Sequence, residues 1–213
     1  MAGTVVTIAQ QKGGAGKTTL AAHLAVAWAG QKLRVAVIDI DPQASLAAWH
    51  ALREERLGKG KTGLDFAAIA GWRVAAEIER RARDHDIVLV DSPPHAATEA
   101  RLVVRAANLL LVPVQPSPMD LWATRPTLDL ARQEKTPVLL LLNRVPPRAK
   151  LADAVIAKLG AIGAAIAAAR IGNRVALASA LMEGRGITEA APSGRAAEEV
   201  RAAAAEILKR ARG

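Results

Sequence analysis

The chain has 213 residues, with 29 Lys and Arg against 20 Asp and Glu for a formal charge of +9, and it contains neither cysteine nor tyrosine. That length suits one α/β domain, 1–213, with a sizeable core. The lack of cysteine excludes disulfides, iron–sulfur clusters and thiol catalysis and fits a reducing compartment.

The basic excess is uneven: 17 basic against 14 acidic residues up to Leu141, and 12 against 6 from Leu142 on. A basic face attracts polyanions, either nucleic acid or an acidic membrane surface; the plain alternative is a solvated, arginine-rich surface. With only Phe66 and four tryptophans as aromatics, reading of single strands by base stacking is not expected. The start, MAGTVVTIAQ, has no basic region followed by a long apolar run. Apolar runs such as PVLLLLN are far shorter than the ~20 residues that span a bilayer. A soluble cytoplasmic protein is expected.

In chain order, TVVTIA (Thr4–Ala9) predicts a strand. TTLAAHLAVAWAG then repeats apolar residues at helical spacing and stops at Gly30. RVAVIDID (Arg34–Asp41), DIVLVDSPP (Asp86–Pro94), NLLLVPV (Asn108–Val114) and PVLLLLN (Pro137–Asn143) predict further strands. Helices are expected around Ser45–Arg56, Val74–Asp84, Ala96–Ala107 and Thr124–Glu134. LGKGKTG (Leu57–Gly63) reads as an exposed basic loop, and the alanine-rich AAIAAARI is ambiguous between strand and helix. A last helix begins after Ser193, a plausible N-cap. No repeat and no dividing linker is visible. Nearly continuous apolar strands alternating with helices imply a mostly parallel twisted sheet covered by helices on both faces. Such sheets bind ligands at the carboxyl ends of their strands.

The stretch AQQKGGAGKTT, Ala9–Thr19, lies at one such end. Gly13, Gly14 and Gly16 allow backbone to wrap phosphate oxygens, and Ala15 contributes mainly its backbone. The following helix N-terminus adds unpaired N–H groups and dipole potential. Lys17 is placed to reach the β- and γ-phosphates, and Thr18 to ligate Mg²⁺. The stretch departs from G-x-x-x-x-G-K-S/T at Gln11, and Lys12 adds a second lysine five residues before Lys17. Asp91, after the apolar run IVLV, is the expected Mg²⁺ acid, with a turn residue as its structural alternative. Asp39 and Asp41 are two apart, so on an extended strand end they point the same way. One would support the metal shell and the other orient the attacking water. The structural alternative for Asp41 is a turn-starting residue before Pro42.

KGGAGKTT with Lys12 resembles the deviant Walker A motif of the ParA/MinD ATPases. VIDIDPQASL, DIVLVDSPP, LLVPVQPSPMDLWA and LLLLNRVPP resemble that family's other motifs, in family order, over most of Met1–Pro147. The likeness is strongest to small ParA proteins that lack an N-terminal DNA-binding domain, and the C-terminal part matches loosely. The resemblance implies a P-loop ATPase fold, ATP or ADP with Mg²⁺ as ligands, and an ATP-dependent homodimer. In that dimer Lys12 would touch the partner's ATP. It further implies that Gly13, Gly14, Ala15, Gly16, Lys17, Thr18 and Thr19 hold phosphates and metal. Asp41 would position the water, with Asp39 and Asp91 at the Mg²⁺. Pro113, Pro116 and Pro118 would lie near the base and dimer interface, and Asn143 and Arg144 beside the adenine.

The implied output is partition or positioning of DNA or another large cargo. The ATP dimer would bind non-specific double-stranded DNA on the nucleoid, its own hydrolysis would be slow, and a ParB-like or cargo adaptor would stimulate hydrolysis and so release. Arg170, Arg174, Arg195 and Arg201 are the candidate DNA contacts. A MinD-like membrane switch is the alternative; it needs bulky anchors on the C-terminal helix, which offers Val200, Ile207 and Leu208 among alanines. A metabolic P-loop enzyme is a further alternative. The missing cysteine removes its iron–sulfur version, and the missing tyrosine removes an autophosphorylating tyrosine kinase.

Overall fold

The computed structural model describes residues 2–69, 73–94, 97–147, 157–160 and 163–213. Seven strands form one sheet: β1 Thr4–Ile8, β2 Val35–Asp39, β3 Asp65–Ala68, β4 Ile87–Asp91, β5 Leu109–Val114, β6 Val138–Val145 and β7 Ala165–Gly172. Their spatial order is β3-β2-β4-β1-β5-β6-β7, and every neighbouring pair is parallel. Among the described residues the helices are α1 Lys17–Ala29, α2 Ser45–Leu57, α3 Val74–Asp84, α4 Ala97–Ala106, α5 Pro118–Glu134, α6 Val175–Met182, α7 Ile187–Ala190 and α8 Arg195–Ala211, and residues 157–160 are helical as well.

Alternate strand residues serve opposite faces, as the pleat requires. Val6, Ile8, Val37, Leu89, Leu111 and Leu141 join α1, α8 and part of α2 in one core. On the other face, Ile38, Val88 and Val90 pack on α3, while Leu110, Val112, Leu140 and Leu142 pack on α5. Helix α1 is buried from Leu20 to Trp28. It lies between the sheet and α8, so apolar residues on every side find a neighbour. The Trp28 indole donates to the Ala204 carbonyl at 3.0 Å, meeting its polar need inside the core.

Helix α8 also closes the β7 edge. Its Glu206 accepts the amides of Ala168 and Ala169 at 3.0 and 2.9 Å, and its Glu199 accepts that of Gly172 at 3.0 Å. A sheet edge otherwise offers unpaired amides to any passing strand.

Several elements differ from the sequence reading. AAIAAARI resolves as β7 because β6 and α8 supply its partners. Strand β2 stops at Asp39, so Asp41 lies past its end rather than on it. Strand β3, α6 and α7 were not expected; each is short. Helix α5 starts at Pro118 rather than Thr124, because the Ser117 hydroxyl accepts the Asp120 amide as an N-cap and Pro118 fits the first turn. At α8 the cap is Gly194, not Ser193.

His23, wholly buried on α1, ties the C-terminal segment to the centre. Its Nε2 donates to the Leu177 carbonyl at 3.2 Å and its Nδ1 accepts the Ile187 amide at 3.1 Å. That pairing requires the neutral ring, and burial lowers its pKa to about 4. An unfolded chain protonates this ring below its ordinary value of 6.5, whereas the folded chain resists until about 4. Its contribution to stability is therefore complete above pH 6.5 and declines as pH falls from 6.5 towards 4. Urea unfolding at pH 7 and pH 5 is expected to show wild type losing about 2 kcal/mol more than His23→Gln over that interval. Equal losses would show that His23 is not held neutral.

Candidate functional site

The first β–α connection places a loop at the centre of the sheet, where β1 lies between β4 and β5. Gly14 and Gly16 have φ of +77° and +89°, conformations that favour glycine. A Cβ on Gly16 would lie 2.5 Å from Asn143 Nδ2. That contact exists because Asn143, near the end of β6, donates to the Ala15 carbonyl at 2.8 Å. The same side chain accepts the Arg144 amide at 2.9 Å, and Arg144 itself stands at φ +53°. Asn143 thus shapes its own turn and grips the glycine loop. Gln115 holds the loop from the other side, donating to the Gly14 carbonyl at 2.9 Å.

A cleft of about 560 Å³ opens over this loop. Gly13, Gly14, Gly16, Lys17, Thr18 and Thr19 line it, with Asp41 and Arg144 at its sides. Lys17 is buried, and its Nζ donates to the Gln10 carbonyl at 3.2 Å. Burial lowers its pKa, against the charges of Asp91 and Asp41, which raise it. A glycine-rich loop, the free amides of a helix start and a buried lysine are together suited to holding a phosphate.

The acids gather beside it. Asp39 and Asp91 are register partners on adjacent β2 and β4. Thr18 donates its hydroxyl to Asp91 Oδ2 at 2.7 Å, while Asp91 Oδ1 is buried with no hydrogen-bond partner. Burial pushes Asp91 up to about 7; the Thr18 hydroxyl pulls it down and the Asp39 charge adds to the rise. An orphaned buried carboxylate oxygen next to a threonine hydroxyl fits a hard divalent cation such as Mg²⁺. Asp39 has another task. Its oxygens accept the amides of Asp41 and Ala47, each at 3.0 Å, so it anchors the turn between β2 and α2 and caps that helix. Burial raises its pKa, and those amides oppose the rise. Asp41 is half-exposed; its Oδ1 accepts the Gln43 amide at 2.9 Å, so it both starts the turn and lines the cleft.

The structure separates other predicted residues from the cleft. Pro113 is in β5 and Pro116 follows that strand; neither lines it. Lys12 pairs with Asp120 Oδ2 of α5 at 2.6 Å, and the Ser117 hydroxyl donates to the same oxygen at 2.5 Å. Asp120 is nearly inaccessible, and its Oδ1 has no partner. Sequence reasoning missed Asp120, which is distant from Lys12 in sequence. It also missed Gln10, whose amide donates to Thr124 Oγ1 at 3.0 Å and links the loop to α5.

Of the arginines proposed for DNA, Arg174 is clamped on Glu199 at 2.5 and 2.8 Å and Arg195 lies 3.4 Å from the same carboxylate. Arg170 and Arg201 are exposed, on β7 and α8 respectively. Nothing brings the four arginines to the phosphate cleft.

A family model described as the CobQ/CobB/MinD/ParA nucleotide binding domain matches residues 6–187. The chain is 28% identical over 213 residues to Maintenance of carboxysome distribution protein A of Halothiobacillus neapolitanus, covering 95% of each chain. It is 30% identical to the chromosome-partitioning ATPase Soj of Thermus thermophilus, covering 96% of this chain and 95% of Soj. Among solved structures, the fold is similar to a cell division ATPase MinD of Pyrococcus furiosus, with a TM-score of 0.80 at 20% identity over 97% of this chain and 99% of that one. It is similar also to an ATP complex of Cyanothece McdA, with a TM-score of 0.80 at 18% identity over 99% and 96%.

Replacing Gly16 with alanine forces the Asn143 amide aside and strains the backbone at φ +89°. Gly16→Ala is expected to weaken binding of a fluorescent ATP analogue by roughly tenfold or more, with a near-normal far-UV circular dichroism spectrum. Unchanged affinity would show that the Asn143 grip does not shape the phosphate loop.

Proposed function

The chain belongs to the CobQ/CobB/MinD/ParA nucleotide-binding family, and on that footing we propose that it is a ParA-type ATPase that positions a large cargo. The observation that carries this reading is the cleft itself: glycine loop, Lys17, Thr18 on Asp91, and Asp41 at the rim. We read 1–213 as one such domain.

In this reading Gly13–Thr19 hold the phosphates of ATP through loop amides and Lys17. Thr18 and Asp91 would hold Mg²⁺, which when bound screens phosphate charge. Asp39 positions the Asp41 turn. Asp41 is the acid at the cleft rim suited to orient a water for phosphoryl transfer, a reaction in which the protein chiefly positions and neutralises. Arg144 and Asn143 form the turn beside the nucleotide.

Lys12 has a second state in this reading. In a lone chain it neutralises Asp120. Two copies meeting face to face would bring two basic loops together and repel. Bound ATP supplies negative charge, and Lys12 then transfers to the partner's phosphates as a charge-assisted contact. Hydrolysis removes that attraction, and Lys12 returns to Asp120. Relatives named for carboxysome distribution and chromosome partitioning support an output of positioning; an adaptor on the cargo would set the pace of hydrolysis.

The ATP-held dimer is proposed to bind non-specific double-stranded DNA. Of the candidates Arg170, Arg174, Arg195 and Arg201, Arg174 already holds Glu199 bidentately and Arg201 stands exposed on α8. A membrane switch is less well supported. The apolar side of α8, with Val200, Ala204 and Ile207, is buried against the core.

Lys12→Ala is expected to lose ATP-dependent dimerisation in light scattering while still binding ATP, whereas Asp41→Ala keeps an ATP dimer and loses turnover. A Lys12→Ala dimer of normal strength, or normal hydrolysis by Asp41→Ala, would refute the assigned roles. DNA retention with ATP should fall steeply from low to moderate salt, and Arg201→Glu should reduce both the retention and its salt slope. Salt-independent retention would remove the DNA reading.

A further inference from the structure

A second concavity, of about 730 Å³, lies along α5 away from the phosphate loop. Its floor is apolar, with Leu121 and Leu128, and Trp122 stands at its side, 66% exposed. Arg125, Arg132 and Lys158 surround it, against a single acid, Asp129. Asp129 is matched by Arg132 at 3.1 Å. Arg125 and Lys158 are exposed and make no ion pair among the described residues. A smaller hollow of about 170 Å³ shares Leu128 and Arg132 and runs on to the start of β7. Met119, 62% exposed one turn before Trp122, extends the apolar strip.

These features do not serve the core: a large, exposed tryptophan beside leucines is a surface that gains by being covered. Aromatic and arginine side chains around a concave apolar floor are also the residues that anchor protein partners. We propose that this groove docks an acidic amphipathic segment of a partner protein, with an apolar side chain seated by Trp122 and carboxylates meeting Arg125 and Lys158. Charge decides between occupants. A second copy laying this same face against the groove would set Arg125 and Lys158 against their own counterparts and be repelled. A nucleic-acid backbone matches the rim but leaves Leu121 and Leu128 facing phosphates. An acidic segment with an apolar face matches both.

The position gives such docking a consequence. Trp122 lies two residues beyond Asp120 on the same helix, and Asp120 holds Lys12. Thr124, next along, is bonded to Gln10 at the root of the phosphate loop. A partner seated here bears on the helix turn that restrains both.

The test is selection of a phage-displayed random peptide library on the full chain, followed by anisotropy with the labelled peptides obtained. Peptides rich in Asp and Glu around Leu or Phe are expected. Their dissociation constants should rise by roughly tenfold or more in Trp122→Ala and, separately, in the double variant Arg125→Glu with Lys158→Glu. Binding of a fluorescent ATP analogue in the same samples should be unchanged, which separates loss of the groove from misfolding and from failure of the nucleotide reading. Recovery of no binding peptide, peptides without acidic bias, or affinities insensitive to these substitutions would overturn the proposal. So would labelled oligo-dT that binds as tightly as the peptides and is lost in Trp122→Ala, which would make the groove a nucleic-acid surface, or self-association abolished by that same substitution.

Discussion

Two carboxylates end adjacent parallel strands to one side of the central strand β1, and the arrangement of the site follows from keeping them there. Asp39 and Asp91 are register partners on β2 and β4, and burial raises the pKa of each. Like charges side by side in a low-dielectric region are costly unless hydrogen bonds or cations offset them. The chain resolves the two acids differently. Asp39 is satisfied by backbone amides and becomes the anchor of the β2–α2 turn. Asp91 takes one hydroxyl, from Thr18, and keeps a bare oxygen. The asymmetry makes one acid a scaffold and leaves the other available for chemistry, and it places Asp41 on the rim as a by-product of the turn that Asp39 holds.

The same economy governs the C-terminal third. Its excess of positive charge suggested a polyanion surface, yet its acids are used with care. Glu199 neutralises Arg174 and covers a β7 amide, and Glu206 covers two more. The helix that carries these acids buries its other side on α1, where Trp28 and His23 reach into the C-terminal elements. Stability of the phosphate loop is thereby linked to the end of the chain: α1 begins at Lys17 and is held along its length by α6, α7 and α8. A basic surface remains, carried by fewer arginines than the composition alone suggests.

Much of this was legible because the strongest signals are local. The runs TVVTI, VAVID, IVLVD and LLLVPV lie on both faces of a covered sheet and need no alternation to be recognised. The glycines of the phosphate loop announce a backbone requirement that does not depend on distant contacts. The segment AIAAARIG does depend on them: its strand form requires β6 on one side and the carboxylates of α8 on the other, neither visible from its own alanines. Helix α5 begins six residues before the expected Thr124, because Pro118 fits a first turn opened by Ser117. Asp120 was invisible for a related reason. Nothing in LWATRP or its neighbours says that a lysine more than a hundred residues earlier will fold against it.

That pair changes what the second lysine in AQQKGGAGKTT implies. Lys12 is about one-third exposed, but Asp120 is almost wholly buried, with one oxygen already lacking a partner. Removing a cation from a buried carboxylate costs several times more than breaking a surface ion pair. Lys12 therefore does not leave without a compensating change at Asp120, either another donor or a movement of the first turn of α5. Ser117 already donates to the acid and caps that turn, so the adjustment falls on the same few residues. The glycine loop and a helix that bears an apolar, basic groove are joined by the Lys12–Asp120 pair and by Gln10 on Thr124, so any motion of Lys12 away from Asp120 is also a change in α5.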